Sequence, residues 1–346
     1  MKINYLPLQK KIKMSKKQAP KHINGKILSK QDIENLLLKA RDFIAEGEYE
    51  EAEEIAEKLI HQEVQEGYDL MAIIYAASER FEEAIEILNE AVAKYPKDSY
   101  LWTGLGNCLA EVEQYEEAMN AYNTALSCAD DDKLLIELNI AVLYGRQGMF
   151  EKTFEMCEKN KDSELKNEFA SVLLTAYIES ERYDDAITFE KKELSKLNPP
   201  EDPDFDDDLS LIYALIAKAH LRKNGDKKHI EKLIRKAIDF DRTNEEALLV
   251  WREFNNLPAN KSKYFRVEVQ GEFKIEDDEP AIFTTDYELV ADNIKEALEI
   301  IRAYEVKEVI SIDIVESDSE TTNEKLKGLY VVSDLLFDDE FDDEDF

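Results

Sequence analysis

The chain contains few of the residues that form disulfides, sharp turns and metal centres. It has 346 residues, of which three are Cys, ten are Gly and eight are Pro. Cys108, Cys128 and Cys157 are odd in number and lack Cys-x-x-Cys spacing, so they predict neither a disulfide framework nor a zinc site. No Gly-x-Ser-x-Gly motif and no phosphate-binding Gly-x-x-x-x-Gly-Lys run occurs. These shortages give little support to a catalytic function.

Positive charge is scarce as well. The chain has 44 Lys and Arg residues against 78 Asp and Glu residues, which gives a formal net charge of −34. An acidic body repels nucleic acid and anionic membranes, so we expect no direct nucleic-acid binding by the body of the protein. No apolar run approaches the roughly 18 to 20 residues that span a bilayer. The first residues also make a poor signal peptide, and we therefore expect a cytoplasmic protein without a membrane contact.

The two ends of the chain carry opposite charge. Residues 1–31 contain nine lysines and no acidic residue, whereas seven of the last nine residues are acidic. Such segments cannot bury enough apolar surface to offset their own repulsion and ordering entropy. We predict a disordered basic arm over residues 1–31 and a disordered acidic tail over residues 337–346. Met14 is a plausible alternative start of the chain.

A short acidic and aromatic phrase recurs through the first two thirds of the chain. Its aromatic residue falls at Tyr49, Phe81, Tyr115, Phe150 and Tyr183, so the steps are 32, 34, 35 and 33 residues. Apolar and small residues at i, i+4 and i+7 on both sides of the phrase predict a pair of antiparallel helices in each unit. A period of about 34 residues with two helices per unit is the tetratricopeptide spacing.

The residues within each unit also match, and this region resembles the tetratricopeptide repeat family. The best-formed unit spans residues 101–125, and the one before it is similar. The small and bulky side chains at the family's helix-packing positions are Trp102, Gly106, Ala118, Tyr122, Ala72 and Ala84. The resemblance implies a mainly α-helical superhelix of about six helix pairs over residues 32–256. Proline and aspartate residues predict an acidic loop at 198–208 within it.

In this family the concave face of the superhelix receives an extended peptide or a helix of a partner protein. Carrying the family's groove positions over to this chain gives a set of candidate partner-binding residues. They are Asp69, Ile73, Thr103, Asn107, Glu111, Leu138, Val142, Arg146, Ser171, Thr175 and Glu179. Asn107 and Asn139 resemble the asparagine pair that clamps the carboxylate-ended tail of chaperones, but Thr103 stands where that clamp needs a lysine. An acidic tail would be desolvated there without a cation, so we discount it as the ligand.

Beyond a linker predicted at residues 257–263, the period of the apolar residues changes from helical to alternating. A strand, a second strand, a helix and a third strand are predicted in that order, which gives a small ββαβ domain over residues 264–336. The third strand, near residues 309–315, is expected to point Ile310, Ile312 and Ile314 inward. Periodicity leaves residues 329–337 open between a strand and a short helix.

The predicted function is that of a non-enzymatic adaptor or scaffold that captures a segment of a protein partner of unknown identity. The alternative is a regulator of a nucleic-acid-processing assembly, acting through the lysine arm or through the acidic tail, which is similar to the phenylalanine-ended tips of single-stranded DNA-binding proteins. His61, His220 and His229 lie on helical segments without His-Glu-x-x-His spacing. We therefore predict no catalytic residue, no metal site and no cofactor.

Overall fold

The computed structural model describes residues 28–129, 133–199, 206–259, 262–274, 280–305 and 309–337. Residues 1–27 of the predicted arm, residues 200–205 of the predicted loop and residues 338–346 of the predicted tail lie outside these ranges. The described part is mainly α-helical, with the helices in antiparallel pairs, and it ends in a small antiparallel sheet with one helix. The predicted fold class is confirmed. The chain divides into two compact units, residues 1–165 and 166–346.

The first unit has eight helices in its described part. They are α1 (Lys30–Ala45), α2 (Tyr49–His61), α3 (Glu66–Ala77), α4 (Phe81–Lys94), α5 (Ser99–Glu111), α6 (Tyr115–Cys128), α7 (Lys133–Arg146) and α8 (Phe150–Asn160). The recurring aromatic residues Tyr49, Phe81, Tyr115 and Phe150 are the first residues of the even-numbered helices. The repeat phrase therefore marks the start of the second helix of each pair.

Each pair in the first unit turns through one residue in the left-handed region. These residues are Gly47, Glu79, Glu113 and Gly148, with φ between 59° and 78°. At the α5–α6 turn, the N–H of Glu113 donates to the carbonyl of Ala110 and the N–H of Gln114 donates to the carbonyl of Leu109. This is the Schellman pattern, which satisfies the last carbonyls of a helix and reverses the chain.

The best-formed pair, α5 and α6, owes its close approach to one missing side chain. A Cβ atom on Gly106 would lie 2.5 Å from Cε1 of Tyr122, so only glycine leaves room for that ring. Ala118 and Tyr122 are fully buried opposite it. Asp98 is the N-cap of α5, because its carboxylate accepts hydrogen bonds from the backbone N–H groups of Tyr100 and Leu101.

The second unit combines five helices with a helix-backed sheet in its described part. The elements are α9 (Lys166–Glu179), α10 (Tyr183–Lys192), α11 (Asp207–Arg222), α12 (Lys227–Phe240), α13 (Glu245–Asn255), β1 (Lys263–Phe273), β2 (Ala281–Ala291), α14 (Ile294–Tyr304), β3 (Val309–Thr321), β4 (Gly328–Val332) and β5 (Leu336–Phe337). The strands pair antiparallel in the order β3-β1-β2-β4, and β5 pairs with β2. The segment that periodicity left open thus forms the two short strands β4 and β5.

Strand β3 departs from the predicted alternation at Ile310, which is 54% exposed rather than inward. The pairing with β1 steps from Ser311 opposite Glu272 to Val309 opposite Phe273, so Ile310 is the extra residue of a β-bulge. Ile312 keeps the predicted inward direction and is buried. A period-two pattern cannot anticipate a bulge, and the prediction for Ile310 was wrong for that reason.

The sheet and the last helices share one hydrophobic core. Val250 and Trp251 of α13 belong to the same buried cluster as Phe265 of β1 and Leu329 of β4. The guanidinium of Arg252 donates to the carbonyl of Leu329, and the backbone N–H of Lys327 donates to the carbonyl of Leu257 at 2.8 Å. The segment predicted as a linker is therefore hydrogen-bonded to the chain just before β4.

Candidate functional site

The predicted groove residues of the first unit lie on its odd-numbered helices: Asp69 and Ile73 on α3; Thr103, Asn107 and Glu111 on α5; and Leu138, Val142 and Arg146 on α7. They do not share one environment. Leu138 and Val142 are buried, whereas Asp69, Ile73 and Thr103 are half-buried. Glu111 and Arg146 are half-buried as well, so the partly accessible members of this set lie mostly on α3 and α5.

Asn107 lies inside the unit rather than on an open face. It is 3% exposed, and its side-chain carbonyl accepts from the Tyr122 hydroxyl at 2.8 Å and from the Asn139 amide at 3.1 Å. Asn107 thus joins α5, α6 and α7 through a buried polar contact. Asn107 and Asn139, which resemble the asparagine pair of the chaperone-tail clamp, are close together in the structure. Their side chains are hydrogen-bonded to each other.

Glu111 and Arg146 also bind each other. The guanidinium of Arg146 forms a two-pronged pair with the carboxylate of Glu111, at 2.9 and 3.1 Å, and donates to the carbonyl of Ala110. A bidentate pair of this kind is strong and geometrically specific. It holds α7 against the end of α5, so these two charges already neutralise each other in the absence of a partner.

A shallow pocket lies between α3 and α5; its enclosed space is only about 10 Å³, roughly one water molecule, and the rest is open to solvent. Most of its wall is apolar, and one carboxyl group faces it. The lining residues are Asp69, Ala72, Ile73, Ala76, Leu88, Tyr100, Gly104 and Cys108. Gly104 has no side chain to fill the pocket, and its nearest neighbour there is the Leu88 side chain at 3.5 Å from the position of a Cβ.

Two titratable groups in this pocket are shifted toward their neutral forms. Burial, together with the charges of Asp98 and Glu66, holds the pKa of Asp69 well above its usual range. Burial also raises the pKa of the Cys108 thiol to about 12, with Glu111 adding to the shift. A thiol that stays protonated at neutral pH is a poor nucleophile, so the pocket is suited to binding rather than covalent chemistry.

The remaining predicted groove residues, Ser171, Thr175 and Glu179, lie on α9 in the second unit. The Ser171 hydroxyl bonds to Asp208 at 2.8 Å, and the Thr175 hydroxyl donates to the carbonyl of Ser171. Glu179 is exposed at the end of the helix. Two of these three side chains are thus engaged in hydrogen bonds within the second unit.

Sequence reasoning missed one cluster of side chains in the second unit. Glu190, His220 and His229 place a carboxylate oxygen and two imidazole nitrogens within 4.8 Å of one another. They come from α10, α11 and α12, and they are separated by 30 and 9 residues, so no motif of fixed spacing could reveal them. The signal available in the sequence is that His220 and His229 flank the α11–α12 turn.

Comparison with protein families decides the nature of the repeats. Residues 75–138 match the family model described as "Tetratricopeptide repeat". This segment of the chain carries the tetratricopeptide repeat. The matched segment runs from α3 to α7, and it includes most of the pocket between α3 and α5. A comparison with curated proteins gives no match.

Solved structures are similar to part of this chain. The structure of PilW, a widely conserved type IV pilus biogenesis factor, has a TM-score of 0.51 at 15% identity, and the alignment covers 64% of this chain and 100% of that one. Pseudomonas aeruginosa PilF has a TM-score of 0.47 at 13% identity, over 65% of this chain and 96% of that one. TTC0263, a tetratricopeptide repeat protein of Thermus thermophilus, has a TM-score of 0.43 at 20% identity, over 55% and 99%. The likeness to PilW, which has a TM-score above 0.5, concerns the fold alone. None of the described helices could cross a membrane.

Proposed function

We propose that the protein is a non-enzymatic adaptor that holds a segment of a partner protein in the pocket between α3 and α5. The observation that carries this proposal is the pocket itself, with its apolar wall and its single carboxyl group, Asp69. Pockets of this composition bind by burying an apolar group and fix its orientation through one polar contact. The helices that build the pocket are already packed, so binding costs little ordering entropy.

The chemistry of the pocket favours a lysine or arginine side chain of the partner. Such a side chain has an apolar stem, which Ile73, Ala76 and Tyr100 would cover, and a cationic head, which the Asp69 carboxylate would meet. A cation near Asp69 also offsets the desolvation and the repulsion from Asp98 and Glu66 that now disfavour the ionised form. The net charge of −34 attracts a basic segment from a distance.

Selection from a displayed random peptide library against the full chain tests this function. We expect the selected peptides to share a lysine or arginine beside an apolar residue. In fluorescence anisotropy with one selected peptide, Ile73→Arg should weaken binding about tenfold or more, because it puts a competing cation into the pocket. The matched control is Leu38→Arg, which adds the same charge at an exposed position on α1 and should bind as the unaltered protein does.

A double-mutant cycle identifies the polar contact. Replacing the peptide lysine by glutamine should weaken binding to the unaltered protein and have little further effect on Asp69→Asn, since the two changes remove the same interaction. Additive effects would show that the cation does not meet Asp69. Equal binding by Ile73→Arg and Leu38→Arg would place the partner elsewhere and contradict the proposed function.

A further inference from the structure

Glu190 lies between two histidines of neighbouring helices. Nε2 of His220 is 2.7 Å from Oε2 of Glu190, and Nε2 of His229 is 2.7 Å from Oε1 of the same carboxylate. The two imidazole rings are 4.9 Å apart between centroids and nearly perpendicular, at 83°. Three potential ligand atoms therefore converge from α10, α11 and α12 on one point of the second unit.

The backbone around the cluster fixes the two histidines. Gly225 packs against His220, because a Cβ atom there would lie 3.1 Å from Nδ1 of the ring, and its N–H donates to the carbonyl of His220 at 2.8 Å. The N–H of His229 donates to the Asp226 carboxylate, which caps α12. These backbone contacts order the α11–α12 turn, from whose two sides the histidine side chains reach Glu190.

The three side chains of the cluster differ in how far they are buried. The side chains of Glu190 and His220 are 13% and 14% exposed, whereas that of His229 is 41% exposed. An ion can reach the carboxylate from the His229 side, and a water molecule can occupy a fourth position there. The two inner ligands are shielded from the bulk, which strengthens their interaction with a cation.

We propose that Glu190, His220 and His229 bind one divalent transition-metal ion, of which Zn²⁺ suits this ligand set best. Two imidazole nitrogens and one carboxylate oxygen are a known combination for tetrahedral zinc with water in the fourth place. Bonds of about 2.0 to 2.1 Å set tetrahedral ligand atoms about 3.3 Å apart. The two contacts of 2.7 Å are to different oxygens of Glu190, so they open by about 0.6 Å while the carboxylate turns to present one oxygen to the ion. His229 is exposed enough to make this adjustment.

The protons are accounted for in this step. The metal takes the lone pair of each Nε2, so a proton held there moves to Nδ1 or to solvent, and the carboxylate binds as the anion. The ion then links α10, α11 and α12 at one point. Binding to the folded state alone stabilises that state, so the site acts as a structural clamp of the second unit.

Cobalt provides the probe, because four-coordinate Co²⁺ has visible absorption that Zn²⁺ abolishes on displacing it. The full chain, freed of any histidine tag and of bound metal by chelation, is titrated with Co²⁺ and then with Zn²⁺. We expect one equivalent of Co²⁺ to give this spectrum, and Zn²⁺ to remove it and to raise the melting temperature.

His220→Gln and Glu190→Gln should weaken Zn²⁺ binding by more than the roughly 10- to 100-fold that the loss of an outer-shell partner costs. His229→Gln, at the exposed position, tests the same site in a variant whose folding is secure. His61→Ala, on an exposed residue of α2, is the matched control and should bind as the unaltered protein does. The proposal is overturned if no four-coordinate cobalt spectrum forms, or if it persists in His220→Gln and His229→Gln, which would assign the metal to other residues such as Cys128.

Discussion

Asp69 is a side chain of the first unit whose surroundings shift its ionisation. Its carboxyl group faces the pocket between α3 and α5, and burial, Asp98 and Glu66 all disfavour its charged form. A carboxyl group whose pKa is higher in the folded than in the unfolded protein binds its proton more tightly in the folded state. Its contribution to stability is present below the unfolded pKa, near 3.9, and is lost as the pH rises through the folded pKa.

The variant Asp69→Asn removes this titration, and we expect it to change the pH profile of stability in one direction. The free energy of unfolding of the variant, relative to the unaltered protein, should increase from about pH 4 upward, with a slope no steeper than about 1.4 kcal/mol per pH unit for one proton. Urea unfolding at several pH values measures it. Glu86→Gln, at an exposed position of α4, is the control. A difference that shrinks with rising pH would show that Asp69 is stabilised as an anion.

Periodicity predicts which helix a side chain belongs to and which way it faces, but not what it meets. Asn107 falls on the predicted face of α5, yet Tyr122 and Asn139 occupy its carbonyl oxygen. Asp69 and Ile73, like Asn107, were placed in the groove by the resemblance to the tetratricopeptide repeat family, and they do line a pocket. Whether a side chain lines a pocket or is buried depends on the side chains of the neighbouring helices. The spacing of residues within one helix does not give the distances to those side chains.

The turns between paired helices offer a prediction at the scale of the element. Glu113 at the α5–α6 turn has a left-handed backbone, with φ 61°, although it is not a glycine. The left-handed conformation costs a residue with a side chain about 1 to 2 kcal/mol, and a glycine avoids this cost. Part of the advantage is lost because glycine makes the unfolded chain more flexible, which stabilises the unfolded state. Glu113→Gly should therefore raise the free energy of unfolding by about 0.5 to 1 kcal/mol, as measured by urea unfolding.

The matching change in the opposite direction is Gly148→Ala at the α7–α8 turn. Gly148 has φ 67°, and no atom lies within 4 Å of the position of its Cβ, so the substitution tests backbone conformation without a steric clash. We expect a loss of about 1 kcal/mol or more. If both variants destabilise the protein, the contacts of the Glu113 side chain outweigh its backbone strain and the explanation fails.

Strand β3 shows where reasoning from the sequence stops at the scale of the element. The alternating apolar residues predict the strand, and β3 is present from Val309 to Thr321. The two register shifts against β1 leave Ile310 and Val315 as extra residues, and both are exposed. A bulge depends on the pairing of two strands, so the sequence of one strand does not contain it.

At the scale of the whole chain, a change of period marks a change of secondary structure rather than the limit of a core. The alternating pattern that begins after residue 263 was the basis for a separate small domain. The core that holds the sheet also contains α11, α12 and α13, from Leu209 to Trp251. The sequence of a helix shows that one of its faces is apolar, but not whether a helix or a sheet packs against that face.

A buried polar network joins the helices to the sheet in this second unit and yields the last prediction. Arg242 follows α12 and donates to the carboxylate of Glu305 at 2.7 Å and to the hydroxyl of Tyr287 at 3.1 Å. The side chains of Arg242 and Glu305 are 16% and 5% exposed. Burial and the charge of Glu305 raise the pKa of Tyr287, so its hydroxyl stays protonated and available to the network.

Arg242→Ala leaves the carboxylate of Glu305 buried without its cation, which costs about 3 to 5 kcal/mol for pairs of this kind. We expect hydrogen exchange of the full chain to show lost protection between residues 207 and 337, because the core that this network closes lies within that part of the chain. Arg266→Ala is the matched control. Arg266 is 51% exposed and pairs with Glu288, Asp318 and Glu320 at the surface, where solvent screens such pairs. The same loss of protection in both variants would mean that net charge, and not the buried network, holds the sheet to the helices.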